Sequence, residues 1–298
     1  MVIYKIPTIE GEIKVPSKLL NDVRVKSFYD EIKDVSNISL DYFYINLNTL
    51  KFEKITPKMN VDDKYKALYS AGRNILYLRD TYEDLSKDHE LTHLTSTIRT
   101  KNCIYCGFSQ TNGSTEIGVG LTEGYTVMQD LRYHGSKEKE EFYKNIYLLP
   151  REMANFVEIL IGQDIMEPLF YKADLFSLIE VLSNYMPFKD VIAFINDIDI
   201  INYNTNIVES NMAYIRVAKA YERCIAFLTE AFLYKYEYTF QAGEITAEEY
   251  NEGLIFCKKI STRRISFPTF KVAKSRPISD NKFFKLLKKC EKESKKNI

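Results

Sequence analysis

The chain has 298 residues, 45% hydrophobic and 28% charged, and its 41 Lys and Arg balance 41 Asp and Glu to a formal net charge of zero. That length allows one large domain or two ordinary ones with apolar residues enough for a core, and the charge balance gives no reason to expect nucleic acid as a partner. No window nears the roughly 18 apolar residues of a membrane span, and the opening MVIYKIPTIEGEIKVP is broken by charge and proline before any signal-like apolar run develops.

Residues 1–60 read as mixed α and β. The spacing predicts a short strand over Val2–Ile6, a helix from Ser17 to about Val35 carried by Leu19, Leu20, Val23, Phe28 and Ile32, and a strand-like run over Tyr42–Phe52. A further strand, Asn74–Leu78 (NILYL), follows the turn signal Ala71-Gly72-Arg73. Thr81 then offers an N-cap and Glu83 and Asp84 suit a first helical turn, so a helix is expected over about Tyr82–Thr97.

Within that helix lies HELTH, His89-Glu90-Leu91-Thr92-His93, which takes two of the three histidines in the chain and sets a glutamate between them. Residues four apart on a helix project from one face about 6 Å apart along the axis, so two imidazoles there can close on one metal ion at ~2.0–2.1 Å. At about 100° per residue, Glu90 lies to one side of the pair while Leu91, Leu94 and Ile98 fall behind it. The helix is expected to have a wet, metal-facing edge and an apolar back.

Between residues 99 and 121 the periodicity is lost and Gly107, Gly113, Gly118 and Gly120 punctuate the chain, which predicts a long loop with a short hairpin from IYCGF and TEIGVG. Cys103 and Cys106 form a lone CxxC, read as ordinary small loop residues in preference to a redox pair. With Cys224, Cys257 and Cys290 they make an odd, scattered set and no disulfide framework. A reducing compartment, the cytoplasm, is the expectation. Around Glu123 a helix resumes. Taking Glu123 as zero, Val127, Leu131 and Met128 fall near 40°, 80° and 140°, an apolar arc with the carboxylate at its edge, where a partly buried ligand belongs.

From about residue 138 to 259 the pattern is helix after helix, near 139–163, 167–186, 188–197, 206–240 and 246–260, with breaks at Pro150, Pro168, Pro187 and Gly243. Thr246 and Glu249 fit a capping box after the turn Ala242-Gly243-Glu244. Residues 271–298 hold ten Lys and Arg against three Asp and Glu, a basic and solvated end. The expected domains are 1–136, a mixed α+β unit, 137–265, a helical unit packing on it, and 266–298, the basic tail.

His89, Glu90 and His93 with Glu123 in the context Leu-Thr-Glu-Gly-Tyr-Thr resemble the gluzincin branch of zinc metallopeptidases. The order NILYL, HELTH, GFSQ, IGVGLTEGYT is similar to small metallopeptidase-like proteins of low-GC Gram-positive bacteria and their mobile elements, over about residues 70–135. The resemblance implies a zincin-like fold whose sheet edge, here Asn74–Leu78, lies beside a cleft and can pair with an extended peptide. It implies one Zn2+ per chain held by His89, His93 and Glu123, with Glu90 as general base in hydrolysis of a peptide or protein substrate. Such a site leaves one metal position for water, whose pKa falls to ~7 and whose proton a nearby carboxylate can take.

The pattern also departs from that family. Thermolysin-like enzymes place an aspartate four residues after the ligand glutamate to hold one histidine, and here that position is Val127; either Thr126, Asp130 or a residue of the helical region takes the role, or the site is less tightly held. His134, eleven residues past Glu123, is not expected at the centre, and a tyrosine is the expected oxyanion partner. Tyr77, Tyr125 and Tyr133 read as packing residues. The alternatives are a catalytically weak or silent zincin scaffold that binds or regulates, and an interaction protein whose helical half is the working surface.

Overall fold

The computed structural model describes residues 2–5, 12–15, 17–59, 66–79, 85–113, 115–144, 146–207 and 211–265. The class is α+β, with small sheets and mostly helix. The chain divides into two compact units, Met1–Arg151 with Gln163–Leu175, and Glu152–Gly162 with Phe176–Ile298. The first unit therefore runs past the boundary expected at residue 136 and takes back a later segment. The basic tail, with Cys290, lies outside the described residues.

In the first unit β1 (Val2–Lys5) and β2 (Glu12–Val15) pair antiparallel. The helix expected over 17–35 is two, α1 (Ser17–Leu20) and α2 (Val23–Ile32). Asp22 causes the break, since its extended backbone and its carboxylate, which accepts the N–H of Arg24 at 2.9 Å, cap a new helix. Val25, Phe28 and Ile32 then fall on one buried face.

The strand expected over Tyr42–Phe52 is corrected. Residues Asp41–Leu47 form helix α3, and only Lys51–Lys54 are a strand, β3. The buried residues of α3 are Phe43, Asn46 and Leu47, a helical spacing within a run whose aromatics suggested a strand.

β3 pairs parallel with β5 (Ile75–Leu78), which pairs antiparallel with β4 (Ala67–Ser70). The order β3-β5-β4 makes the segment expected at the sheet edge its central strand. β4 and β3 are the edges, and β4 is the one whose backbone reaches the HELTH helix.

That helix, α4, spans Lys87–Thr95, with Ser86 at its N-cap. It starts later than expected, and Thr81, Glu83 and Asp84 lie outside the described residues. Every residue from His89 to Thr95 is buried, so the expected wet edge is wrong: both faces are covered. Ile98 is not on the helix at all but in β6 (Thr97–Arg99).

The expected loop is a four-stranded antiparallel meander, β6, β7 (Ile104–Cys106), β8 (Ser109–Asn112) and β9 (Thr115–Ile117). Its strands are three or four residues long, and Ser109-Gln-Thr-Asn112 carries no alternation of apolar residues, so backbone pairing builds what side chains did not announce.

α5 (Val119–His134) follows from Gly118, whose φ of 81° and whose closeness to the carbonyl of Phe108 both exclude a side chain. Further along, a Cβ on Gly124 would overlap the carbonyl of Pro150, so Gly124 lets α5 and the next segment touch backbone to backbone.

The helical part is more divided than the sequence suggested. α6 (Lys137–Phe142), α7 (Leu148–Ile161), α8 (Gln163–Tyr171) and α9 (Leu175–Ser183) replace two long helices. Pro150 lies in the first turn of α7, where its missing N–H costs nothing, and Pro168 lies inside α8, so neither is a break. Pro187 does precede a helix, α10 (Phe188–Ile207), longer than the expected 188–197. α11 (Asn211–Gln241) and α12 (Ala247–Ser261) follow, with the Thr246–Glu249 capping box formed as expected.

In the second unit α10, α11 and α12 join through the stacked rings of Phe194 and Phe227, 4.2 Å apart, and the edge-to-face rings of Phe232 and Phe256 at 5.1 Å. Asp197 accepts Arg223 Nε at 2.7 Å across the first pair. Among the described residues no helix is long and apolar enough to cross a membrane.

Candidate metal centre

α4 presents His89 and His93 one turn apart, and α5 brings Glu123 to them. His89 Nε2 lies 3.1 Å from His93 Nε2 and 3.1 Å from Glu123 Oε2, and His93 Nε2 lies 3.6 Å from that same oxygen. A tetrahedral ion with bonds of ~2.0–2.1 Å has ligand atoms about 3.3 Å apart, so the triangle is of metal-site size. The sequence spacing and the fold therefore bring together the three residues expected as ligands, and the group could hold a metal ion. Its most exposed member is Glu123, whose side chain is 18% accessible against 5% for His89 and 9% for His93.

The electrostatics of this triangle call for positive charge. Burial pushes the Glu123 carboxyl up, but His93 and His89 beside it more than reverse that and hold it far below the carboxylate range. Burial opposes a charged imidazole at His93, yet the Glu123 carboxylate and Cys106 together outweigh it and raise His93 well above the ordinary value. Three lone-pair atoms at this separation repel unless a proton or a cation stands among them. A divalent ion held by two imidazoles and a carboxylate meets that demand.

Glu90 shares the helix but makes a different contact. Its Oε2 accepts the backbone N–H of Tyr69, on edge strand β4, at 2.7 Å. Burial raises its carboxyl above the usual range, and the charges of His89 and His93 only partly offset this. It is a buried carboxylate with one oxygen held by the fold.

Behind His93 stand Thr126, one of the residues expected to hold a histidine, and Cys106, which was read as an ordinary loop residue. His93 Nδ1 lies 3.5 Å from both Cys106 Sγ and Thr126 Oγ1, whereas Val127 is buried and apolar. Cys103 and Cys106 are both free, and three residues of strand spacing separate them by about 10 Å, beyond the ~7 Å Cα limit for a disulfide.

Asp130 does not hold a histidine. Lys139 Nζ donates to it at 2.6 Å and to Asp88 at 2.7 Å, while Tyr143 Oη donates to its other oxygen at 2.6 Å. Asp88 precedes His89, so this lysine of α6 fastens the start of α4 to α5. At the other end, Asn46 Nδ2 donates to the carbonyls of Leu94 and Thr97, each at 2.7 Å, and Arg99 joins Asn46, Asn74 and Tyr69 behind the helix.

The tyrosine rings nearest His89 are Tyr143 at 6.0 Å and Tyr147 at 5.8 Å, the latter parallel within 4°. Tyr147 has φ 55°, a conformation that costs a bulky residue energy, and Arg151 N–H closes on its carbonyl as α7 begins. Tyr125 packs between Phe108 and Phe170, Tyr133 donates to Glu167 at 2.7 Å, and Tyr77 is buried in β5. His134 stands apart from the triangle, stacked on Phe28 and 2.5 Å from Glu31 Oε2. No spacing rule pointed to Tyr147, Cys106 or Lys139, because each reaches the site through a turn or a strand pairing. The chain matches no protein-family model, no curated protein and no solved structure among those compared.

Proposed function

We propose that the chain is a zinc-dependent peptidase of zincin type, with His89, His93 and Glu123 holding one Zn2+ and Glu90 serving as general base. The observation that carries the reading is the convergence of two imidazoles and a carboxylate within 3.6 Å, beside a second buried carboxylate that takes no part in the triangle. A bound zinc ion would supply Lewis acidity, lowering the pKa of water to ~7 and polarising a carbonyl.

The residues do the rest. Glu90, its Oε2 fixed by Tyr69, uses its other oxygen to take a proton from water as the water attacks a peptide carbonyl. It then returns that proton to the leaving nitrogen. Its raised affinity for a proton brings it nearer to neutrality, where such exchange is efficient. β4 is the strand against which an extended peptide would lie, since its backbone already reaches Glu90.

The test is metal analysis of the purified chain together with cleavage of a peptide library by wild type and Glu90→Gln. The expected result is about one zinc in each and a loss of cleavage of about 10²–10⁴-fold in the variant. An unchanged rate, or a chain that takes up no zinc, would overturn the reading. A second reading, a zincin scaffold that binds or regulates without turnover, is favoured by the absence, among the described residues, of a carboxylate against His93 Nδ1; stoichiometric zinc with no cleavage by wild type would select it.

A further inference from the structure

The surroundings of His93 decide which of its ring nitrogens carries the proton. Its Nδ1 faces two atoms, Cys106 Sγ and Thr126 Oγ1, each at 3.5 Å. The Thr126 hydroxyl spends its one proton on the carbonyl of Thr122 at 2.8 Å. The Cys106 thiol has an acceptor for its own in the carbonyl of His93, 3.6 Å away. With both protons so placed, each group can only accept from Nδ1. A neutral imidazole in that position carries its proton on Nδ1 and turns its lone pair out through Nε2, the atom 3.1 Å from His89 Nε2 and 3.6 Å from Glu123 Oε2.

Distance separates the two partners. For an oxygen acceptor 3.5 Å is beyond the ordinary 2.7–3.2 Å of an N–H···O bond, whereas the larger sulfur atom is at bonding range there. Cys106 is also fixed by its strand: β7 pairs on both sides, with Thr97 and Ser109 opposite Cys106, and its carbonyl accepts the Ser109 hydroxyl at 2.9 Å. His89 offers the contrast, since its buried Nδ1 has no hydrogen-bond partner among the described residues.

We infer that Cys106, seconded by Thr126, is a positioning residue that fixes the tautomer and orientation of His93 for metal binding, where the enzymes this chain resembles use a carboxylate. The inference rests on the zinc reading above. Sulfur is a weaker hydrogen-bond acceptor than a carboxylate oxygen, so the ring it orients is less electron-rich than one backed by aspartate.

The experiment titrates the full, metal-free chain with zinc and with cobalt(II), for wild type, Cys106→Ala, Cys106→Ser and Thr126→Val. Zinc affinity should fall about 10–100-fold in Cys106→Ala, less in Thr126→Val, and recover only in part in Cys106→Ser, which restores an acceptor on a shorter bond and so farther from Nδ1. The visible cobalt spectrum should change in Cys106→Ala and return toward wild type in Cys106→Ser. A loss of packing alone would not give that pattern. If Cys106→Ala melts before it can be titrated, Cys106→Val, which fills the volume without an acceptor, takes its place with the same expected loss. One zinc in wild type and an unchanged affinity and spectrum in the alanine or valine variant would overturn this inference and leave the zinc reading standing. No zinc in wild type would overturn both.

Discussion

The backbone N–H of Tyr69 donates to Glu90 Oε2 at 2.7 Å, so an edge strand holds the carboxylate of the helix that carries both histidines. Because the donor is main chain, no substitution at residue 69 other than proline removes it, and the reach of Glu90 is set by its own length. Glu90→Asp, one methylene shorter, can keep the strand contact or the reach toward water, not both. A displacement of about 1 Å at a reacting group costs about 10²-fold in rate. The expected outcome, read by steady-state kinetics, is a drop in kcat of that size with zinc content unchanged; equal kcat would mean that Glu90 moves no proton.

Proton release should accompany metal uptake. In the metal-free chain burial disfavours a charged His93, but Glu123 and Cys106 together outweigh it and raise its affinity for a proton, so a proton on His93 competes with a metal ion. A raised imidazole value means that apparent zinc affinity climbs about tenfold per pH unit below that value and levels off above it. For the metal-free fold the sign is opposite: stabilisation by this proton is full below about pH 6.5 and fades as pH rises through the raised value. Calorimetry in two buffers of different ionisation enthalpy checks this, and buffer-independent heats would refute it.

Lys139 sits between two carboxylates, and Asp130 has no exposed side-chain surface. Burial disfavours the lysine charge, yet Asp130 and Asp88 together raise its proton affinity above the ordinary value. Lys139→Met leaves Asp130 charged and unpaired in the interior, a loss of about 3–5 kcal/mol. Urea denaturation of the variant measures it, and a loss under about 1 kcal/mol would mean that water takes the place of the ammonium.

Gly124→Ala sets two effects against each other. Alanine favours a helix over glycine by about 1 kcal/mol, but its methyl would overlap the carbonyl of Pro150, and overpacking costs about 1–3 kcal/mol. The clash involves backbone, which cannot swing aside, so a lower melting temperature is expected. Zinc affinity should fall with it, because the neighbouring residue is Glu123. A raised melting temperature would show that α5 shifts freely.

The site was more legible in the sequence than the fold around it. The four-residue spacing of His89 and His93 and the apolar arc flanking Glu123 are local properties of helices, and the structure keeps them. The meander over 97–117 was not legible, because strands such as Thr115-Glu-Ile117 owe their state to partners rather than to their own residues. α3 misled for the opposite reason, since Tyr42, Phe43, Tyr44 and Ile45 favour strands individually while tertiary burial of Phe43, Asn46 and Leu47 selects a helix. The partners of His93 were half visible: Thr126 lies on the expected helix beside Glu123, whereas Cys106 arrives from β7 only after three strands have paired.

Asn46 and Lys139 grip opposite ends of α4. A rod clamped in this manner keeps its two imidazoles at a constant separation while material enters or leaves. The amides of Leu91 to Thr95 then belong with the slowest in the chain to exchange with deuterium, and slow exchange there should outlast removal of any ion.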